Sequence, residues 1–405
     1  MTQVTDNAGR YPWVRVNGDP RERGRSYGEQ AADRVRRSVA AYAEVFARGA
    51  GLGWGDVREV ARRFEAPIRS FGEQYLDELR GIAEGADVDP VDILAINVRT
   101  EIMYSAKART AEAARGPREC TAFAVVPTRW SGEPVLVGQN WDWLPHSFET
   151  VVVLESVRDD GPSFVTVVEA GLLAKAGMNA AGLGLATNAL ATAWDRGEPG
   201  VPYHVLLRAI LDCETVTGAY ATLQRAWRSS SANYLVAHAD GSVLDVEAAP
   251  GDFSRLFPLE GGALHLHTNH FVSPRFSGKD VSLWAMPDSP VRLNRMRAAV
   301  ADVAGPGSSA PLGAKEFMTL LGDHAGYPYS ICAHPYEADD PTEQGATVAS
   351  VVMELESRTM WLADGQPCSV PYRRLDLSGV LGAGRAPGES QSARASSAGA
   401  PGTPL

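Results

Sequence analysis

The sequence predicts a layered α+β fold, helical first and strand-rich afterwards, and three observations carry that expectation. Apolar residues recur every three or four positions across residues 19–103, the period of amphipathic helices. From Cys120 onward the period falls to two, and turn signals separate short β-rich runs, as half-buried strands require. Two more helical stretches, 202–212 and 215–227, lie between groups of strands. Strands that frame a helix pair make a layered domain.

Each element has its own warrant. Tyr11, Trp13, Val14 and Val16 precede an Asn17-Gly18 turn signal and read as a short strand or extended arm. Asp19-Pro20 is an N-cap followed by proline in the first helical turn. Tyr27, Ala31, Val35, Val39, Tyr42 and Phe46 continue that helix to about residue 48. Glycines from Gly49 to Gly55 break it. A second helix is expected over 56–71, kinked at Pro67, and a third over 74–86. Asp89-Pro90 repeats the cap-and-proline signal and opens a fourth, to about 103. Residues 105–119 are small, charged and turn-prone, and read as an exposed connector.

Strands are then predicted at 120–126, 134–140, 150–157, 163–169 and 183–187. Asp240-Gly241 suits the tight turn of a hairpin between 233–239 and 242–248. A strand at 263–268, helices at 291–303 and 314–321, and strands at 347–354 and 359–363 complete the pattern. From residue 377 the chain is rich in Gly, Ala, Ser and Pro, the composition of disorder. Three units follow: a helical segment 1–119, a catalytic domain 120–376 and a disordered tail 377–405.

Composition narrows the partners. Lysine and arginine total 38 against 49 acidic residues, a net charge of −11, which disfavours nucleic acid and anionic membranes. No signal-like h-region stands near Met1, and no apolar run approaches a membrane span. The four cysteines (Cys120, Cys213, Cys332, Cys368) are widely spaced without a Cys-x-x-Cys pair. Neither a disulfide framework nor structural zinc is expected from that spacing, and a reducing cytoplasm fits. The chain should need no cofactor. In His265-x-His267-x-x-His270, strand alternation puts two histidines on one face and the third on the other, so no metal is expected there. Cys213, Cys332 and Cys368 read as structural, and the lone Lys175 as a salt-bridge partner.

Chemistry centres on Arg118-Glu119-Cys120-Thr121, where the helical segment gives way to strands. A free thiol with a pKa of about 8.5 is mostly protonated at neutral pH. Cutting the chain between Glu119 and Cys120 would give Cys120 an α-amine with a pKa of about 7.7–8. One residue would then carry nucleophile and base together. The plain alternative is a buried strand thiol.

Several stretches resemble, in order, the family of fungal acyl-CoA:6-aminopenicillanic acid acyltransferase and its bacterial and insect amidohydrolase relatives. They are Asn97-Val98-Arg99-Thr100-Glu101, Cys120-Thr121, Gly138 to Asp142, Glu169-Ala170-Gly171, and Asn179-Ala180-Ala181-Gly182 leading to Asn188. Later come His267-Thr268-Asn269-His270, Tyr327 to Cys332 and Gly345-Ala346-Thr347. These relatives are self-processing cysteine members of the N-terminal nucleophile (Ntn) hydrolases. The resemblance implies an αββα sandwich with Cys120 at the start of a central strand. It implies Cys120 as nucleophile, Asp142 holding the new α-amine, and Asn188 and Asn269 as oxyanion or substrate contacts. Read alone, the two asparagines stabilise turns and Asp142 binds its own backbone.

Two departures stand out. Ala333 follows Ser330-Ile331-Cys332 where the family usually places an arginine, so either His334 or an arginine from elsewhere substitutes, or the thiol is less activated. Glu119 precedes the cut where the penicillin enzyme has glycine. The expected function is hydrolysis or transfer of the acyl group of a small N-acyl amine or acyl thioester, through a Cys120 thioester. The processed subunits are expected to stay associated. The competing classes are an unprocessed, non-catalytic ligand-binding relative and a metal-dependent hydrolase.

Overall fold

The computed structural model describes residues 9–109, 120–127, 133–305, 312–339 and 344–382, with the backbone alone for 105–109. Glu119, with the expected cut beside it, lies outside them. The helical segment begins with β1 (Trp13–Val16) and continues as α1 (Pro20–Gln30), α2 (Ala32–Ala50), α3 (Trp54–Arg62), α4 (Glu65–Phe71), α5 (Glu73–Ala86), α6 (Pro90–Asn97) and α7 (Arg99–Arg109). Asp19 caps α1 in a capping box with Glu22, and Asp89 caps α6. Both caps stand immediately before proline, as the sequence signals.

Boundaries differ from the expectation in four places. The first helix breaks at Ala31 into α1 and α2. The second breaks at Arg63–Phe64, before Pro67 rather than at it. A proline ring clashes with the carbonyl four residues back, so the helix restarts with Pro67 inside its first turn. The fourth breaks at Val98. Helix α7 then runs to Arg109, into residues expected to be connector.

Helices α1 and α5 meet through glycines. A Cβ on Gly24 or Gly28 would stand 2.1 or 2.2 Å from the carbonyl oxygens of Glu78 and Ile82. One on Gly81 or Gly85 would stand 2.2 or 2.0 Å from those of Arg21 and Arg25. The two backbones touch, so any side chain there would push the helices apart.

The remaining strands are β2 (Thr121–Val125), β3 (Leu136–Trp143), β4 (Val151–Ser156), β5 (Phe164–Glu169), β6 (Ala176–Asn179), β7 (Leu183–Ala189), β8 (Ala232–His238), β9 (Val243–Ala248), β10 (Leu256–Pro258), β11 (Leu264–His267), β12 (Ala346–Glu354), β13 (Thr359–Ala363) and β14 (Arg373–Asp376). The helices among them are α8 (Tyr203–Leu211), α9 (Val216–Arg225), α10 (Ser282–Ala285), α11 (Ser289–Val303), α12 (Ala314–Leu320) and α13 (Ser378–Leu381). One sheet has the order β1-β4-β5-β6-β7-β8-β9-β10, the other β11-β2-β3-β12-β13-β14. Strand β1 pairs with β4 in parallel, and the other pairings of these strands are antiparallel.

The sheets face one another through β2 and β3 against β7 and β8. Helices α8 and α9 cover the first sheet, and α11 and α12 lie on the second. That is an α+β, αββα sandwich, the architecture the resemblance implies. Every residue of β2, β3 and β7 is buried, as strands covered on both faces must be.

A tail starting at 377 is corrected. Leu377 and Leu381 are buried, and α13 packs its single turn onto the domain. Composition averaged over the tail hides two leucines four apart. Among the described residues no helix is long and apolar enough to cross a membrane.

Candidate active site

Cys120 stands immediately before β2, fully buried, between the neighbouring strands β11 and β3. Its carbonyl oxygen accepts from Asn188 Nδ2 at 2.9 Å and from Arg292 Nη1 at 3.1 Å. The same Nη1 donates to Thr121 Oγ1 at 3.0 Å, and Nη2 donates to Asn269 Oδ1 at 2.9 Å. Nε pairs with Asp288 at 2.6 Å. One buried guanidinium therefore joins the start of β2 to the loop after β11. Cys120, Asn188 and Asn269 come together through a residue the sequence reading did not single out.

The two asparagines differ in what they have left to give. An arginine only donates, so Asn269 must turn Oδ1 toward Arg292 and Nδ2 away. That Nδ2 spends one hydrogen on Ala189 O at 3.0 Å, leaving the second. Asn188 Nδ2 serves Cys120 O and His267 O, at 2.9 and 3.3 Å, which uses both. Asn188 thus fixes the backbone of Cys120, while Asn269 retains a donor that meets no acceptor among the described residues.

Asp142 lies one strand away. The β2–β3 register pairs Thr121 with Asn140, and Asp142 pairs with Thr347 of β12. Thr347 Oγ1 donates to Asp142 Oδ1 at 2.5 Å and accepts from the Ala333 amide at 2.9 Å. Asn140 Nδ2 holds the carbonyls of Leu321 and Ile331, both at 2.8 Å. The segment around Ala333 is therefore fastened to β3 and β12 without an arginine at that position.

His334 belongs to a different group. It stands with His324, Cys332 and Cys368, whose ligating atoms all lie within 4.8 Å of one another. Burial pushes the Cys332 thiol well above its ordinary range, and burial beside His324 lowers the pKa of His334. The arginine that touches Cys120 is Arg292.

The three histidines near β11 have separate partners. His267 Nε2 meets Glu247 at 2.9 Å, His265 Nδ1 lies 3.5 Å from Asp245, and His270 Nδ1 bonds Ser289 Oγ at 2.8 Å. Burial opposes a charge on His267, but Glu247 and Asp245 outweigh it and raise its pKa. Burial, helped by the charges of His267, Arg292 and Arg297, brings His270 down to about 4.

The other shared motifs hold the helical segment to the sandwich. Glu169 pairs with Arg99 at 3.0 Å and accepts from Tyr42 Oη at 2.6 Å. Burial alone would raise its pKa, yet Arg99 and bonds from His146 and Tyr42 hold it well below the carboxylate range. Asn97 bonds Gly171 O at 2.8 Å and Leu173 N at 3.1 Å. Glu101 accepts from Tyr203 N at 2.8 Å and Ser230 Oγ at 2.7 Å. Lys175 is buried and donates to Tyr203 Oη at 3.1 Å.

One signal could have revealed Arg292. Positions 292, 296 and 300 form the buried stripe of α11, with Met296 and Val300 below the arginine. A charge on an apolar stripe needs a buried partner.

A model of the family described as acyl-coenzyme A:6-aminopenicillanic acid acyl-transferase matches residues 130–369. The acyl-coenzyme A:6-aminopenicillanic-acid-acyltransferase 40 kDa form of Emericella nidulans is 26% identical over 362 residues, covering 87% of this chain and 92% of its own. Among solved structures, conjugated bile acid hydrolase from Clostridium perfringens aligns over 66% of this chain and 95% of its own, with 13% identity and a TM-score of 0.43. Penicillin V acylase from Agrobacterium tumefaciens aligns over 65% and 88%, with 16% identity and a TM-score of 0.41. With the family model spanning well over half of its residues, the chain belongs to the acyl-coenzyme A:6-aminopenicillanic acid acyl-transferase family.

Proposed function

We propose that the protein is a self-processing cysteine amidohydrolase or acyltransferase acting on a small N-acyl amine, with Cys120 as nucleophile. The observation that carries this reading is the clamp on Cys120, whose carbonyl is held by Asn188 and by the arginine that also orients Asn269. Such a clamp fixes a strand start whose side chain must meet a substrate repeatedly in one geometry.

In the first step the Cys120 thiol attacks the Glu119 carbonyl, and the peptide bond becomes a thioester as the nitrogen takes the thiol proton. Water then cleaves that thioester, leaving the Glu119 carboxylate and the free Cys120 amine. In turnover the amine accepts the proton as Sγ adds to the substrate carbonyl. The remaining Nδ2 hydrogen of Asn269 is directed to the oxyanion, a role worth roughly 3–4 kcal/mol in comparable sites. The amine returns the proton to the leaving nitrogen. Water or a second amine then resolves the acyl-enzyme, giving hydrolysis or transfer from one intermediate. Asp142, held by Thr347, orients the α-amine.

The relative from Emericella nidulans is named for an acyl thioester donor and an amine acceptor, and the same two classes are proposed here. Intact mass under denaturing, reducing conditions tests the processing step. Fragments 1–119 and 120–405 are expected, with Cys120→Ala remaining one piece and losing turnover on N-acyl amines and thioesters. A single mass after long incubation would remove the α-amine from the mechanism, and turnover unchanged in Cys120→Ala would remove the nucleophile.

A further inference from the structure

Four side chains outside the Cys120 site converge from two segments of chain. His324, Cys332 and His334 come from the loop between α12 and β12, and Cys368 from the connection between β13 and β14. The loop folds back on itself through Cys332 N to Asp323 O at 3.0 Å and His334 N to Pro328 O at 3.1 Å, which brings the two imidazoles together. His334 Nε2 then lies 3.1 Å from His324 Nε2, 3.4 Å from Cys368 Sγ and 3.7 Å from Cys332 Sγ.

An imidazole nitrogen has one hydrogen or one lone pair. It cannot satisfy three close heteroatoms by hydrogen bonding. A tetrahedral zinc with bonds of about 2.3 Å to sulfur and 2.0–2.1 Å to nitrogen sets its ligands about 3.3 Å apart for two nitrogens and about 3.6 Å for nitrogen and sulfur. The three observed separations fall close to those values. The set is two thiols and two imidazoles, the ligand chemistry of closed zinc sites. His324 and Cys368 are exposed while Cys332 is buried, so an ion has an entry path.

We infer that His324, Cys332, His334 and Cys368 bind a zinc ion that ties the loop beside Asp142 to the β13–β14 connection. Two thiolates balance the dication, and their protons leave to solvent on binding. The site is structural, because four protein ligands leave no open position. It reaches the candidate active site through the neighbours of Cys332. Ile331 O is held by Asn140, and Ala333 N bonds the threonine that holds Asp142. Cys368 lies 34 positions from His334 along the chain, a spacing that no local metal motif has.

The test uses the full chain, purified reduced, with metal content measured by mass spectrometry and cobalt(II) as spectroscopic probe. One zinc per chain is expected, together with tetrahedral cobalt bands and a thiolate-to-cobalt charge-transfer band. Cys368→Ser and His324→Asn alter exposed positions, so both variants should fold. Each should lose the zinc and weaken the cobalt spectrum, and chelation should lower Tm in the parent but not in Cys368→Ser. A reduced parent that takes up neither metal overturns the inference. So does a cobalt spectrum unchanged by Cys368→Ser, or a Cys332–Cys368 disulfide whose reduction confers no metal uptake.

Discussion

Replacing Arg292 with methionine tests the clamp most directly. The side chain is 2% exposed and donates to Cys120 O, Thr121 Oγ1, Asn269 Oδ1 and Asp288. Removing one partner of a buried ion pair costs about 3–5 kcal/mol. Asp288 retains 12% side-chain exposure, which puts its share near about 3 kcal/mol. Asn269 Oδ1 would lose its donor inside the protein, a further loss of about 1–3 kcal/mol. Cys120 O would keep its bond from Asn188. Arg292→Met should therefore lose about 4–6 kcal/mol, a large share of the roughly 5–15 kcal/mol typical of folded domains. Arg292→Lys keeps the charge beside Asp288 but not the fork, and should recover about half of that. Urea denaturation reads both, with the midpoint falling and the slope unchanged. At temperatures where Arg292→Lys remains folded, kcat should fall more than KM rises, because Asn269 loses its orientation. Arg292→Met within 1 kcal/mol of the parent, as fast as the parent, would refute the clamp.

Three further outcomes follow from the same geometry. Gly85→Val puts a side chain where Cβ already stands 2.0 Å from Arg25 O and should cost about 3 kcal/mol, whereas Gly55→Ala, in open space on a helix, should gain up to about 1 kcal/mol; equal denaturation midpoints would contradict the close packing of α1 on α5. Thr347→Val strips Asp142 of a donor and leaves the Ala333 amide unpaired, so a loss of about 1–3 kcal/mol and slower processing are expected by denaturation and by the time course of intact mass. For His270, brought down to about 4 from 6.5, the unfolded chain binds a proton between those values that the folded chain refuses, so stability falls as pH drops through that window. His267, raised by its carboxylates, has the opposite sign, and its contribution is present below pH 6.5 and lost as pH climbs through the raised value. Denaturation of His270→Gln from pH 4 to 7 should flatten the acid slope, and an unchanged slope would remove His270 as its source.

What could be read in the sequence was what neighbours along the chain decide. The change of period at Cys120 marks where helices give way to strands, and Asp19-Pro20 and Asp89-Pro90 mark helix starts, because caps act over three or four residues. Short strands such as β6 and β14 escaped, since four residues carry too little alternation to register. The same holds for the break at Ala31, where no proline or glycine announces it. Contacts made across the fold were less accessible. Arg292 meets Cys120 from 172 positions away, and Cys368 meets His334 from 34. Spacing rules written for local metal motifs say nothing about such distances. Asn188 and Asn269 were found by resemblance, but only geometry separates the one whose amide hydrogens are spent from the one with a donor left.

Strand β1 has a consequence for how the molecule assembles. It pairs with β4 in parallel, while Tyr11 bonds the carbonyl of Val348 in the opposite sheet. Residues 11–16 thus act as a clasp across both sheets. In an uncut chain that clasp closes as an intramolecular event, at the high effective concentration a tether provides. After a cut before Cys120 the tether is gone, and the clasp persists only because opening it requires unmaking an edge of the sheet. Unfolding the precursor would be reversible on dilution. Unfolding the mature form would be a dissociation, with refolding that depends on protein concentration, so the clipped enzyme would owe its lifetime to a slow opening rate rather than to an equilibrium it can revisit.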